Sequence, residues 1–241
     1  MNKTAIILIT KNRQKLLKQT IRSLFANTPR ASFDLIVVDD GSDDVSYLLE
    51  CNQAGMISDL VLTNFSSPSR CRNIGAEIAR KKGYEFLYHT DNDMYFLEGW
   101  LESCEALLEA RPEIMIVGAY CHPFMQKNLD CPGDKPFIDV DGEEYCGFET
   151  VDAVSGNSWF ISTEDYFDYG LHETDGIMAS EDWEMCQRIR NDGSLVVRLI
   201  PHKVLHCGIT NSRGEASVGA DIMLEELSQA KVKYNLDIHY D

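Results

Sequence analysis

Asp91 and Asp93 stand one residue apart in the string His89-Thr90-Asp91-Asn92-Asp93-Met94-Tyr95, directly after the apolar, aromatic run Tyr84 to Tyr88. An ionised carboxylate resists burial without a partner, so two of them at a strand's exit invite a cation. Magnesium and manganese fit that role: they favour oxygen ligands and often take only one or two carboxylates from protein, while substrate phosphates complete the shell. Further residues carry chemistry of the same kind. Asp39-Asp40 closes another apolar run in Val37-Val38-Asp39-Asp40-Gly41-Ser42, Glu181-Asp182-Trp183-Glu184 opens a helical pattern, and His206 lies in a late loop. Each has a structural reading beside the chemical one. Asp caps helices and shapes turns, acids at a helix start complement its dipole, and Trp183 also reads as a core anchor. An Asp-x-Asp string is weak alone.

The elements that would position these residues follow from apolar periodicity. Thr4 to Thr10 reads as a buried strand, and Lys11-Asn12-Arg13 turns it into a helix with Leu16, Leu17, Ile21, Leu24 and Phe25 on one face. Strands are predicted at Asp34 to Val38, Leu60 to Leu62, Tyr84 to Thr90, Ile114 to Ala119, Val151 to Ser162 and Leu195 to Ile200. Helices are predicted from Cys71 to Lys82, stopped by Gly83, from Leu97 to Glu109, from Glu181 to before Gly193, and from Ala220 to Lys233. Tyr120 to Thr150 has little periodicity and reads as an insertion or small hairpin, Pro201 to Ser212 as a loop, and the last residues as loose. Strands alternating with helices imply an α/β fold: one domain with a mostly parallel, Rossmann-like central sheet flanked by helices. Ligands of such sheets gather outside the carboxyl ends of the strands, the edge to which the acids at 40, 91 and 93 belong. No GxGxxG follows the first strand, so a dinucleotide fingerprint is missing.

Composition narrows the functions. The net charge of −17, from 39 acids and 22 bases, opposes a nucleic-acid footprint or an anionic membrane surface. It leaves room for a nucleotide-sized ligand, because nearby charges outweigh distant screened ones. The apolar run Ala5 to Ile9 is too short to span a bilayer and lacks a secretory architecture. Eight cysteines without a CxxC pair point to thiols in a reducing, cytoplasmic setting. Cys121, His122, Cys131 and Cys146 are close in sequence but match no standard metal pattern.

Taken in order, Ile9-Thr10-Lys11-Asn12-Arg13, Val37-Val38-Asp39-Asp40-Gly41-Ser42, Ser69-Arg70-Cys71-Arg72-Asn73-Ile74-Gly75, Asp91-Asn92-Asp93 and Glu181-Asp182-Trp183 resemble the motifs of family 2 glycosyltransferases with the GT-A fold. The likeness covers residues 4 to about 208. It implies a nucleotide-sugar donor, UDP-linked by preference, a divalent manganese or magnesium ion, and inverting transfer to a hydroxyl acceptor. By position it implies that Thr10 and Asp40 contact the nucleoside, Arg72 and Asn73 line the donor pocket, and Asp91 approaches the ribose or sugar. Asp93 then binds the metal with His206 as a further ligand, Asp182 is the catalytic base, and Glu181 and Trp183 flank the acceptor. Residues 1–119 become the nucleotide-sugar half, 120–212 the acceptor half and 213–241 a C-terminal helical segment. A glycan, a protein or a small molecule is the expected acceptor. Two other functions suit the same sequence: a sugar nucleotidyltransferase, for which an early Gly-rich basic loop is lacking, and a non-catalytic nucleotide- or carbohydrate-binding module.

Overall fold

Strand β1 (Thr4–Thr10) is the axis of the fold, with all seven residues buried. Each fully buried Ile or Leu contributes roughly 1.5–3 kcal/mol, so this one strand anchors a large part of the core. The computed structural model describes residues 2–120, 135–138, 144–170, 181–210, 216–217 and 219–240. After β1 come α1 (Gln14–Asn27), β2 (Phe33–Asp39), α2 (Ser46–Gln53), β3 (Asp59–Leu62), α3 (Pro68–Lys82), β4 (Phe86–Thr90) and β5 (Met94–Phe96). The chain continues through α4 (Trp100–Ala110), β6 (Ile114–Gly118), β7 (Lys135–Ile138), β8 (Glu144–Thr150), β9 (Ser158–Ser162) and α5 (Thr163–Asp168). It closes with α6 (Glu181–Asn191), β10 (Leu195–Ile200), β11 (Val204–His206) and α7 (Ala220–Tyr234).

The large sheet has the order β3-β2-β1-β4-β9-β6-β10-β8-β7. Strands β3, β2, β1 and β4 are mutually parallel, which is the arrangement the alternating sequence pattern implies. Because the chain crosses from β3 to β4 past β1, the order reverses between β1 and β4, and a crevice forms there at the carboxyl edge. Strand β9 lies antiparallel between β4 and β6, with Ser158 opposite Thr90. Its first residue therefore sits at the carboxyl edge, and the chain leading into it passes the site. The predicted strand Val151 to Ser162 is thus shorter: Val151 to Asn157, buried except at Asp152, is irregular, and burial alone reads like a strand. Strands β7 and β8 pair antiparallel as the expected hairpin region.

Helices cover both faces. Residues of α1, α2 and α4 pack on one side of the sheet and those of α3, α5 and α6 on the other. Helix α3 starts at Pro68, earlier than predicted, because Ser67 accepts from the Arg70 N–H and proline occupies the first turn. It ends at Gly83 with φ 79°. Gly75 lets α3 sit directly on β1, since a Cβ there would fall 2.3 Å from Ile7 Cγ2.

Two short elements were not legible as strands. β5 and β11 pair antiparallel, with His206 opposite Met94, where the sequence reads as loop. Leu16, Leu97, Leu205, Cys207, Leu227 and Ile238 bury this ribbon against α1, α7 and the C-terminal tail. The tail is not loose: the Gln19 side chain donates to His239 O at 2.9 Å and accepts from His239 N at 2.7 Å. Among the described residues no helix is long and apolar enough to cross a membrane. Cys51, Cys71, Cys104, Cys186 and Cys207 are buried, and burial pushes the Cys71 thiol up to about 11. Cys121, His122, Cys131 and the Cys146 and Glu181 side chains lie outside what is described.

Candidate active site

Asp93 meets two cationic groups drawn from far along the chain. Its Oδ2 lies 2.5 Å from Arg13 Nη1 and 3.3 Å from His206 Nε2. The β5–β11 ribbon makes the second contact, and the Cys207 N–H donates to Asp93 O at 2.7 Å just beyond it. Arg13 follows β1 with φ 53° and also donates from Nη2 to Thr210 O. Gly208 is what admits this packing, because a Cβ there would stand 2.2 Å from Asp93 Oδ2 and 2.9 Å from Arg13 Nη1.

Electrostatics in this cluster favour the charged forms. Burial works to raise Asp93, but His206 and then Arg13 outweigh it and hold the carboxyl below its usual range. Burial works to lower His206, and Asp93 outweighs it in the other direction. The second carboxylate oxygen, Asp93 Oδ1, is buried without a hydrogen-bond partner among the described residues. A buried carboxylate oxygen left bare costs free energy that a cation would recover. Among the described residues no three His, Cys, Asp or Glu side chains converge. Asp93, and His206 once an arriving ion displaces its proton, therefore suit an ion that takes few protein donors and completes its shell with water and phosphate, as magnesium and manganese do.

Asp91 faces a different partner. Its Oδ1 accepts from Arg72 Nη2 at 2.8 Å, and Arg72 Nε donates to Gly156 O at 3.1 Å. The N–H of the same Gly156 donates to Asp182 Oδ2 at 3.0 Å, and Asp182 Oδ1 accepts from the Trp183 N–H at 2.7 Å. One glycine between β8 and β9 thus joins Arg72 on α3 to Asp182 on α6, with Asp91 at the far end. A Cβ on Gly156 would reach to 3.2 Å from Arg72 Nη2. Asp182 is 7% exposed, whereas Trp183 beside it is 43% exposed.

Asp40 has both oxygens engaged. Oδ1 accepts from the N–H groups of Phe65 at 2.7 Å and Ser66 at 2.9 Å, with Thr63 Oγ1 at 3.4 Å, and Oδ2 accepts from Ser67 N–H at 2.8 Å. The carboxylate folds the loop that leads into α3. Asp39 closes its own turn by accepting from the Gly41 and Ser42 N–H groups at 3.1 and 2.9 Å. Thr10 Oγ1 accepts from Asn92 Nδ2 at 2.8 Å, which ties the end of β1 to the middle of the Asp-x-Asp string. Asn73 is turned to α5, where Tyr166 donates to its Oδ1 at 3.0 Å.

The structure thus brings Asp93 and His206 together and links Asp91, Arg72 and Asp182 in one chain of bonds. Asn73 pairs elsewhere, and His202 pairs with Arg198 at 3.0 Å, its ring kept neutral by burial at a pKa of about 3. Sequence reasoning missed Arg13, Gly156 and Gly208. Arg13 lay within a quoted motif, but nothing local distinguishes it from a turn residue. Gly156 and Gly208 carry no periodic signal, and only the contacts described above expose their roles.

Comparison with known proteins adds a family. A model described as glycosyl transferase family 2 matches residues 5–164. No curated protein sequence matches the chain. Among solved structures, that of GalNAc-T7 with UDP, GalNAc and Mn2+ is similar at TM-score 0.67 and 15% identity, covering 93% of this chain and 48% of that one. S. aureus TarS 1-349 is similar at TM-score 0.60 and 17% identity, covering 82% and 57%. Its complex with UDP-GlcNAc gives 0.56 and 16%, covering 78% and 53%. The chain spans about half the length of these structures, and at such identities the likeness is one of fold.

Proposed function

The chain belongs to glycosyl transferase family 2, and from that premise we propose that it transfers a sugar from a nucleotide-diphosphate donor to a hydroxyl acceptor with inversion. The observation that carries the reading is Asp93, whose one oxygen is held by Arg13 and His206 while the other is buried and, among the described residues, bare at the carboxyl edge of the sheet. Asp93 and His206 would hold a manganese or magnesium ion, which when bound supplies positive charge against the departing diphosphate. GalNAc-T7 crystallised with UDP and Mn2+, and TarS with UDP-GlcNAc, support uracil as the base.

The remaining roles belong to this chain's own side chains. Thr10 and the Asp40 loop frame the nucleoside, with Asp40 addressing the base. Arg72 keeps Asp91 oriented toward the ribose or sugar, and Asn73 supports the donor pocket through Tyr166. Asp182 accepts the acceptor's proton as its oxygen bonds to the anomeric carbon and the bond to the diphosphate breaks, the electron pair leaving with the nucleotide. Two backbone N–H groups orient its oxygens. Trp183, exposed beside it, offers an acceptor platform together with Glu181. Residues 1–119 then serve the donor and 120–212 the acceptor, a glycan, protein or small molecule, in a cytoplasmic setting that suits buried thiols.

The test is direct. Chelated protein should turn over no UDP-sugar until manganese or magnesium is restored, and the product's anomeric configuration, read by NMR, should be opposite to the donor's. A product that retains the configuration, or turnover indifferent to chelator, sinks this mechanism.

A further inference from the structure

The chain divides its charge unevenly. Residues 1–33 carry seven bases and no acid, whereas the rest carries fifteen bases and all 39 acids. Helix α1 contains no Asp or Glu. Arg13, Lys15, Lys18 and Arg22 from this stretch line a groove of about 1030 Å3. Its other wall is Tyr95 and the docked tail, whose Asp237 is the single acid among the lining residues.

The cations are spaced, not clustered. Lys15, Lys18 and Arg22 recur at i, i+3 and i+7, so they share one helix face with successive rises of about 4.5 and 6 Å. Lys18 is steadied 5.1 Å from the centre of the Tyr47 ring. This ladder fits a chain that bears an anionic group every few ångströms better than it fits one compact anion. Tyr95 and Tyr240 add rings against which a sugar or polyol stem can lie. Arg13 lines the groove and its guanidinium touches Asp93, which sets the groove beside the catalytic cluster. Screening over about 8 Å lets these local cations act although the chain as a whole is acidic.

We propose that this groove binds a multiply anionic acceptor chain, with phosphate or carboxylate groups along Lys15, Lys18 and Arg22 and its accepting end toward Arg13. The acceptor role rests on the transfer reading above; the affinity for anions does not. A duplex or a flat membrane is disfavoured because either would also face the strongly acidic remainder of the surface.

The experiment titrates the full chain with tetrapolyphosphate, with tetragalacturonate and with neutral maltotetraose, then repeats this with Lys15→Glu/Arg22→Glu. The first substitution puts an acid in the first turn of α1, which the helix dipole favours, so the fold is not at risk. Wild type should bind at least one anionic tetramer and not maltotetraose, and the two anionic arms tell phosphate from carboxylate. The double variant should lose about tenfold in affinity, from two attractions removed and two repulsions added, with UDP–manganese binding unchanged. Equal affinity in the variant, displacement of the tetramer by UDP–manganese, no tetramer binding, or binding only to phosphatidylserine vesicles would each overturn the proposal. Tetramer binding by a chain that does not bind UDP would count against the transfer reading and leave the groove standing.

Discussion

Asp40 and Asp93 are both buried carboxylates at the same edge of the sheet, and their surroundings differ in kind. Asp40 accepts from three backbone N–H groups and lies near a hydroxyl, all within the loop from Thr63 to Ser67. Asp93 has one oxygen shared by two cationic side chains and the other, among the described residues, bare. A carboxylate engaged mostly by its own backbone first of all stabilises a loop, and Asp40 keeps for a base only what its Oδ2, with the one Ser67 N–H bond, can still accept. One left half-served in a buried place keeps capacity for a ligand, and the fold maintains it against the cost of desolvation.

That contrast can be broken or sharpened by substitution. The largest effect is expected from Asp93→Asn, which keeps the shape but removes the charge. It should abolish detectable manganese binding by calorimetry and reduce turnover to background, and wild-type manganese affinity would show that the bare oxygen binds no metal. Next comes Asp182→Asn, for which about a hundred- to ten-thousandfold loss in turnover is expected with donor binding intact. Near-normal transfer would return Asp182 to the role of a loop tether through Gly156.

Asp40→Ala reads the other side of the comparison. Three backbone N–H groups would lose a charged acceptor, so unfolding free energy should drop by about 1–3 kcal/mol in denaturant titration, with manganese binding retained. Unchanged stability would mean that the loop holds itself. The smallest effect is expected from Gly75→Ala, where the new methyl group must push Ile7 or α3 aside at a cost of about 1–3 kcal/mol. Its manganese affinity should stay at the wild-type level, because Gly75 supports α3 and not the Asp93 cluster.

Much of the edge was legible in advance. The bounds of β1 and β10 agree with their apolar runs, Gly83 ends α3 as its type demands, and Asp40, Asp91 and Asp93 all fall after parallel strands. The ribbon of β5 and β11 was not legible, since three residues are too few to show a period of two. Nor was the antiparallel course of β9, because an apolar run carries no sign of its direction. The docking of Ile238 and His239 escaped notice for a related reason: it depends on Gln19, more than two hundred residues earlier.

The sequence by itself therefore determined the strand–turn–helix units and the chemistry at each turn, since propensity and periodicity act over a dozen residues or fewer. Only the tertiary structure decided which groups meet. Arg13 and His206 reach Asp93 from opposite ends of the chain, and Asp182 reaches Arg72 through Gly156. Those meetings follow from strand order, from register and from two glycines that admit close approach, and long-range pairing of that kind leaves no mark on any single stretch of residues.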